Sequence, residues 1–404
     1  MTTLRVWRER QHLGVFTCDD THVTFTYDRN APEVPLSLSL PRDGGWTKAA
    51  PLHFLDNLLP DNPSTRRRIA HDVGAASDSV VDLLTVLGDD LAGALVLTAN
   101  ESEPDWVVSQ PLRQLTEDDI AYRISELKRD PDRWMDPDLG GRFSLAGAQA
   151  KFTMVRLANQ WYSSSMSLPS THIVKPSSDH IPNADLVEWA SMRLAKSIGL
   201  PAPDVGILSV LDQQAYIVER FDRDMGKWPP VRIHTEDLAQ SMGLPPSQKY
   251  SVTARQIIDL LRRTDATDEL SYDFIARLAF NTSIDNADAH AKNYSVFLRS
   301  SGVSLTPVYD AVTTTYWPSF DSRLAMRIAG ADRSAEVTKA HWAKLARTTG
   351  LDEDRVVTIA TSLARRVTET MGEVYADLPT RIANKLTDIL THANANMLGH
   401  KTSD

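Results

Sequence analysis

Apolar and polar residues alternate at the start of the chain, which predicts short strands over residues 4–7, 13–16 and 23–27. Val23, Phe25 and Tyr27 fall on one face. A Pro-rich loop follows at 31–41. A helix is predicted over 64–73, and Val80, Leu83, Leu84 and Leu87 form a second helical stripe. These elements predict a small α+β domain over 1–100, with 101–142 as an acidic, helical connection. From residue 143 a loop of small residues runs into a strand, with further strands at 161–162 and 171–175, the last stopped by Pro176. Asn183 reads as the N-cap of a helix to Ile198, with Val187, Ala190, Leu194 and Ile198 buried and Gly199 and Pro201 ending it. Residues 207–211 and 215–219 read as a hairpin around 212–214. The β-rich segment is thus expected over 143–222 and a helical one over 223–404. The latter holds a capped helix start at 235–238 with acids in its first turn, then helices at 252–263 and 271–284. Two more follow: 352–371, with Val356, Ala360, Leu363 and Val367 in register, and 379–397, with Ile382, Leu386, Ile389 and Ala393.

A length of 404 residues suggests two or three domains. Lys plus Arg is 43 and Asp plus Glu is 53, a net charge of -10, which argues against a surface built to coat nucleic acid. The triplet Arg66, Arg67 and Arg68 reads as a solvated helix face. No apolar run approaches the roughly 20 residues needed to cross a bilayer, and the N-terminus lacks the apolar core of a signal peptide. No membrane association is expected. Cys18 is the sole cysteine, so no disulfide framework or cysteine-rich zinc site is available, and a reducing cytoplasm fits.

The candidate chemistry gathers late in the chain. Asp288 and Asn293 are five positions apart, the offset protein kinases use between a proton-accepting Asp and a magnesium-holding Asn. Asp310 follows a predicted hairpin, as a kinase's metal-binding Asp does. Phosphoryl transfer needs cations to offset the donor's charge, and those cations need hard oxygen ligands. Upstream, the loop from Ser144 to Lys151 has side chains small enough for backbone N–H groups to approach a phosphate, though with one internal glycine it also reads as a plain turn. Lys175 ends a strand. Glu188 sits beside the buried stripe of its helix, either as a solvated charge or reaching inward to Lys175 or Lys151. Glu219, Arg220 and Phe221 lie where a kinase-like chain crosses to its helical lobe and where backbone groups can bond an adenine edge. In this order the features predict a phosphate clamp, a charge-neutralising lysine, metal ligands and a base.

The segments at 144–151, 171–176, 218–223, 243–250 and 288–293 resemble the HipA family, and 54–60 and 88–95 resemble that family's first domain. The resemblance implies an ATP- and magnesium-dependent serine/threonine protein kinase, the toxin of a bacterial type II toxin–antitoxin pair. Its fold would be α+β: a two-lobed protein-kinase-like fold with a small N-terminal α+β domain and a largely helical C-terminal lobe. By resemblance Asp288 accepts the proton, and Asn293 and Asp310 hold magnesium. Ala146, Gly147, Ala148, Gln149, Ala150 and Lys151 cover the ATP phosphates, with Lys175 contacting them. Glu219, Arg220 and Phe221 hold adenine, and His290, Ala291, Lys292, Asn293, Tyr309 and Asp310 line the nucleotide site. Ser144 resembles the serine that such kinases phosphorylate on themselves, an added charge that should eject the loop. Ala289 stands where many relatives carry glycine, which removes a left-handed option there. Asp310 is followed by Ala311 rather than Phe-Gly, so a conventional activation segment is not expected.

The resemblance further implies a protein substrate such as an aminoacyl-tRNA synthetase, the glutamyl enzyme being the family's best-known target. It also implies a small helix-turn-helix antitoxin, with operator DNA reached only through that complex. Two rival readings remain: a small-molecule phosphotransferase on a related fold, and a catalytically silent co-repressor partner of the antitoxin.

Overall fold

A computed structural model describes residues 2–19, 22–99, 103–108 and 111–399. Residues 101, 102, 109 and 110 of the predicted helical connection lie outside the described residues, as do residues 1, 20, 21, 100 and 400–404 of the flanking predicted domains. The described chain divides into two compact units. One is Met1–Pro182, Gly206–Ser247 and Phe297–Ser301; the other is Asn183–Val205, Gln248–Val296 and Gly302–Asp404.

The first unit holds two large sheets and a two-stranded one, Arg223–Asp224 with Val231–Arg232. Strands Thr2–Arg8, Gln11–Cys18 and Val23–Tyr27 form an antiparallel meander, and Leu95–Thr98 pairs with the outer side of Thr2–Arg8. As the alternation predicts, Val23 and Phe25 are buried while Thr24 and Thr26 are exposed. A six-stranded sheet follows, in the order Gln114–Leu115, Gln160–Tyr162, Phe152–Leu157, His172–Lys175, Gln213–Glu219 and Val205–Val210. Leu4, Phe16 and Phe54 belong to the same buried cluster as Phe143, Phe152, Val174 and Ala215. The two large sheets therefore share one core, whose cohesion comes from apolar area removed from water. Among the described residues of the predicted connection only Glu117–Arg129 is α-helical, started by a capping box between Thr116 and Asp119.

Buried charges tie this unit together. The Arg220 guanidinium donates to Asp222, to Ser170 Oγ (2.9 Å) and to the Leu91 carbonyl (2.8 Å). Arg223 donates to Asp90 Oδ1 (2.9 Å) and to the carbonyls of Ser170, Gly93 and Leu91. Burial alone would raise the Asp222 carboxyl, but Arg220 and Arg223 overcome it and hold Asp222 well below the usual carboxylate range. Gly93, at φ 76°, brings its N–H to 2.7 Å from Asp222 Oδ2; a Cβ there would lie 2.7 Å from the Thr235 carbonyl oxygen.

The second unit is mostly helical. Glu353–Val374 packs against Glu269–Ser283, Lys339–Thr349, Thr380–Leu398 and Ala184–Ser197. Val356, Ala360, Leu363 and Val367 are buried as their spacing predicts.

Several expectations need correction. In Thr380–Leu398 Ile382, Leu386 and Ala393 are buried as predicted, but Ile389 is only half-buried, because Leu390 beside it shares the inward face with Asn394. Asn183 does precede Ala184–Ser197, but its left-handed backbone (φ 62°) replaces side-chain capping. Residues 235–238 are not a helix start with acids in its first turn. Thr235–Asp237 is a strand, and Asp237 caps the one-turn helix Leu238–Ser241 in a capping box with Gln240. Of Arg66, Arg67 and Arg68, only Arg67 is exposed as expected; the other two are half-buried and paired. Arg66 pairs with Asp56 at 2.7 Å and donates to the Pro60 carbonyl at 2.6 Å, and Arg68 pairs with Asp72 at 3.0 Å.

Glu236 gains from this change. It is buried and accepts from Leu38 N–H and Ser241 O–H, each at 2.9 Å. Desolvation pushes its carboxyl up to about 7. The folded state therefore holds a proton that the unfolded state releases near pH 4.5. This stabilisation is complete below that pH and is lost as pH rises through about 7. Glu236→Gln is expected to gain stability relative to the wild type between about pH 4.5 and 7 and stay level above. Urea melts of both proteins at intervals of pH would show it, and parallel pH curves would refute it.

Candidate active site

Glu269–Ser283 delivers the loop that carries Asp288, and the loop is built from its own side-chain amides. Asn286 donates from Nδ2 to Asn281 Oδ1 at 2.8 Å, and its own Oδ1 accepts from Asp288 N–H at 3.2 Å. Thr314 Oγ1 accepts from Ala287 N–H at 2.8 Å. Asp285 absorbs the reversal after the helix with φ 56°. Ala289 is not among the residues with positive φ, so alanine fits there without strain. His290 N–H donates to the Asp288 carbonyl at 2.7 Å, and Ala291–Asn293 is a single 3-10 turn.

Asn293 and Asp310 come together. Asn293 Nδ2 donates to Asp310 Oδ2 at 3.1 Å. Asn293 Oδ1 is buried and has no hydrogen-bond partner. Asp310 takes φ 53°. The strand before it ends at Leu305, so the predicted hairpin does not run on to Asp310, and Tyr309 holds the intervening stretch by donating to the Lys292 carbonyl at 2.6 Å. Among the described residues no three His, Cys, Asp or Glu side chains converge as a metal cluster. An amide oxygen left without a donor beside a carboxylate nevertheless suits a hard cation whose other ligands are water and phosphate oxygens. Magnesium therefore fits Asn293 and Asp310.

Asp288 is half-buried, and its Oδ1 accepts from the Tyr250 phenol at 2.6 Å. Ala291 N–H donates to the Lys249 carbonyl at 3.3 Å, which pins the segment before Tyr250 to the same loop. Tyr250 ends the 243–250 segment, but nothing in its spacing assigns it to Asp288. Glu188 is buried on Ala184–Ser197 and is therefore not a solvated helix charge.

The first unit holds the remaining candidates. Ser144 is buried; its N–H donates to the Asp90 carbonyl at 2.9 Å and its hydroxyl to the Leu58 carbonyl at 2.7 Å. Leu91 and Pro60 make isolated parallel bridges to Ser144 and Gly147. Gly147 has φ 104°, a left-handed conformation that favours glycine. Lys151 Nζ donates to the Ala146 carbonyl at 2.7 Å, folding the loop back on itself, and lies 4.9 Å from the centre of the Trp134 ring. Ala148, Gln149 and Ala150 complete that loop. Lys175 faces the Tyr216 ring from the next strand, and Glu219 pairs in register with His172. The Arg220 side chain is committed to Asp222, Ser170 and Leu91. Phe221 meets Phe297 edge-on at 6.0 Å.

Residues 143–371 match the HipA-like C-terminal domain family, and residues 4–98 match the HipA N-terminal domain family. The Sinorhizobium fredii protein Y4mE is 34% identical over 402 residues, covering 93% of this chain and 94% of that protein. The serine/threonine-protein kinase toxin HipA of Shewanella oneidensis is 29% identical, covering 94% of this chain and 92% of that one. A solved Shewanella oneidensis complex of HipA, HipB and operator DNA contains a chain that superposes with a TM-score of 0.84 at 27% identity, covering 98% of each. The α+β, kinase-like class expected from the sequence is the class of that toxin.

Proposed function

We infer that this chain, which belongs to the HipA family of serine/threonine kinases, is the toxin of a toxin–antitoxin pair and transfers the γ-phosphoryl group of ATP to a protein hydroxyl. The observation that carries the site assignment is the Asn293–Asp310 contact with its unpartnered amide oxygen, on the loop that also presents Asp288. Asp288 takes the acceptor's proton while the hydroxyl oxygen attacks the γ-phosphorus and the bond from that phosphorus to the β,γ-bridging oxygen breaks, so that ADP leaves. Asn293 and Asp310 hold magnesium, which offsets charge on the phosphates when bound. The 146–151 loop and Lys175 add donors and positive charge for the phosphates, and Glu219 to Phe221 offer backbone groups to adenine. Tyr309 and the residues from His290 to Lys292 shape the nucleotide site, and Glu188 orients the strand lysine.

A translation component such as an aminoacyl-tRNA synthetase is the proposed target, in the cytoplasm. The proposed partner is a small helix-turn-helix antitoxin, since the Shewanella relative is seen with HipB and operator DNA. No described helix is long and apolar enough to cross a membrane.

Self-phosphorylation at Ser144 belongs to the same reading and requires the loop to leave its seat, because the hydroxyl is buried on the Leu58 carbonyl. A phosphate carries nearly two charges, which that seat cannot hold. Intact mass spectrometry after incubation with ATP and magnesium is expected to show one added phosphate on the wild type, and none on Ser144→Ala or Asp288→Asn. Equal phosphate on all three would contradict the assignment.

A further inference from the structure

We infer that Tyr250 is a positioning residue for Asp288, its phenol fixing the orientation of the carboxylate that receives the acceptor's proton. The inference rests on Asp288 being that base. The backbone around Asp288 is held by Asn286 and His290, but those bonds leave the side-chain torsions open. The terminal torsion of an aspartate is broad and roughly two-fold. A donor on one oxygen removes that freedom and decides which oxygen meets the incoming hydroxyl. Tyr250 supplies the donor, at 2.6 Å from Oδ1. That is the length of a charge-assisted O–H···O bond, about twice as strong as a neutral one.

The ring is placed for this task rather than for the core. Tyr250 is 53% exposed, so burial does not explain its position. Its ring meets His290 edge-on at 4.9 Å and 83°, and Lys249 Nζ lies 5.1 Å from its centre. The backbone bond from Ala291 to Lys249 ties its segment to the loop it serves. Aromatic ring, neighbouring cation and backbone clasp together hold one hydroxyl on one carboxylate oxygen. The opposite reading, in which the phenol plugs the place of the acceptor hydroxyl, predicts the opposite sign on removing it.

Steady-state kinetics of the full chain with ATP, magnesium and casein as the acceptor separate the two. Tyr250→Phe is expected to lower kcat by about 10- to 100-fold, with KM for ATP and for casein within about twofold and the thermal midpoint unchanged. Tyr250→Ala, which also removes the ring, should lower kcat at least as far while ATP still binds. A Tyr250→Phe enzyme with undiminished kcat, or with a lowered KM for casein, would overturn the inference. So would a loss of kcat accompanied by an equal loss of ATP binding or of folding in both variants. Retained activity in Asp288→Asn strikes instead at the assignment of the base. An unaffected Tyr250→Phe beside an inactive Asp288→Asn strikes at Tyr250 alone.

Discussion

Asp288→Asn is expected to cut phosphoryl transfer on the order of 1,000-fold. The exchange keeps shape and volume. The Asn286 and His290 backbone bonds are unaffected, and an amide oxygen can still accept from the Tyr250 phenol. What disappears is the capacity to take a proton as the hydroxyl oxygen bonds to phosphorus. Folding and ATP affinity should stay within a small factor of wild type, so the fall belongs to kcat. Asn293→Ala and Asp310→Asn should weaken transfer through magnesium instead, and raising the magnesium concentration should recover part of their loss. Transfer of labelled phosphate in single-turnover reactions distinguishes the two classes. An Asp288→Asn enzyme that keeps a tenth of wild-type activity would sink the role given to this residue.

The largest expected effect on stability comes from the buried charges of the first unit. Asp222→Ala leaves Arg220 and Arg223 buried with one carboxylate between them, Asp90. Removing one member of a buried ionic cluster costs about 3–5 kcal/mol, since the orphaned charge keeps its desolvation penalty. Urea unfolding should report a loss of that size for Asp222→Ala and for Asp90→Ala. The double variant should lose at least the sum, because it leaves both guanidinium groups without either of the two acids they share. Additive losses below about 1 kcal/mol each would show these pairs to be incidental. The cluster also bears on chemistry: it fixes the chain at Arg220, between the residues proposed to meet adenine. Asp222→Ala should therefore weaken ATP binding even in the fraction that folds.

How much of this could be read from the sequence depended on whether a residue acts through its neighbours in the chain or through distant ones. Helical stripes such as Val356, Ala360, Leu363 and Val367 were legible because burial follows the turn of the helix. The stripe Trp342, Leu345 and Ala346 of Lys339–Thr349 carries the same signal. Asp288, Asn293 and Asp310 stood out by spacing and order, and the structure does bring Asn293 to Asp310. Long-range partners were not legible. Nothing near Asp90 foretells Arg223, 133 positions away. Thr235 and Glu236 look like a helix start in isolation, yet pairing makes them strand, and burial then changes the titration of Glu236. The role of Tyr250 was not legible in its own segment, because its partner lies 38 positions further on.

The seat of Ser144 has a bearing on how the chain can be divided. The two matched segments end at 98 and begin at 143, which invites expression of the later one alone. A fragment begun at 143 would lack the carbonyls of Leu58 and Asp90, the bridge partners Pro60 and Leu91, and the Asp90 carboxylate that Arg223 holds. The 144–151 loop would then be a loose end over an uncovered apolar face, so an excised kinase piece would misreport the very segment it was cut out to study.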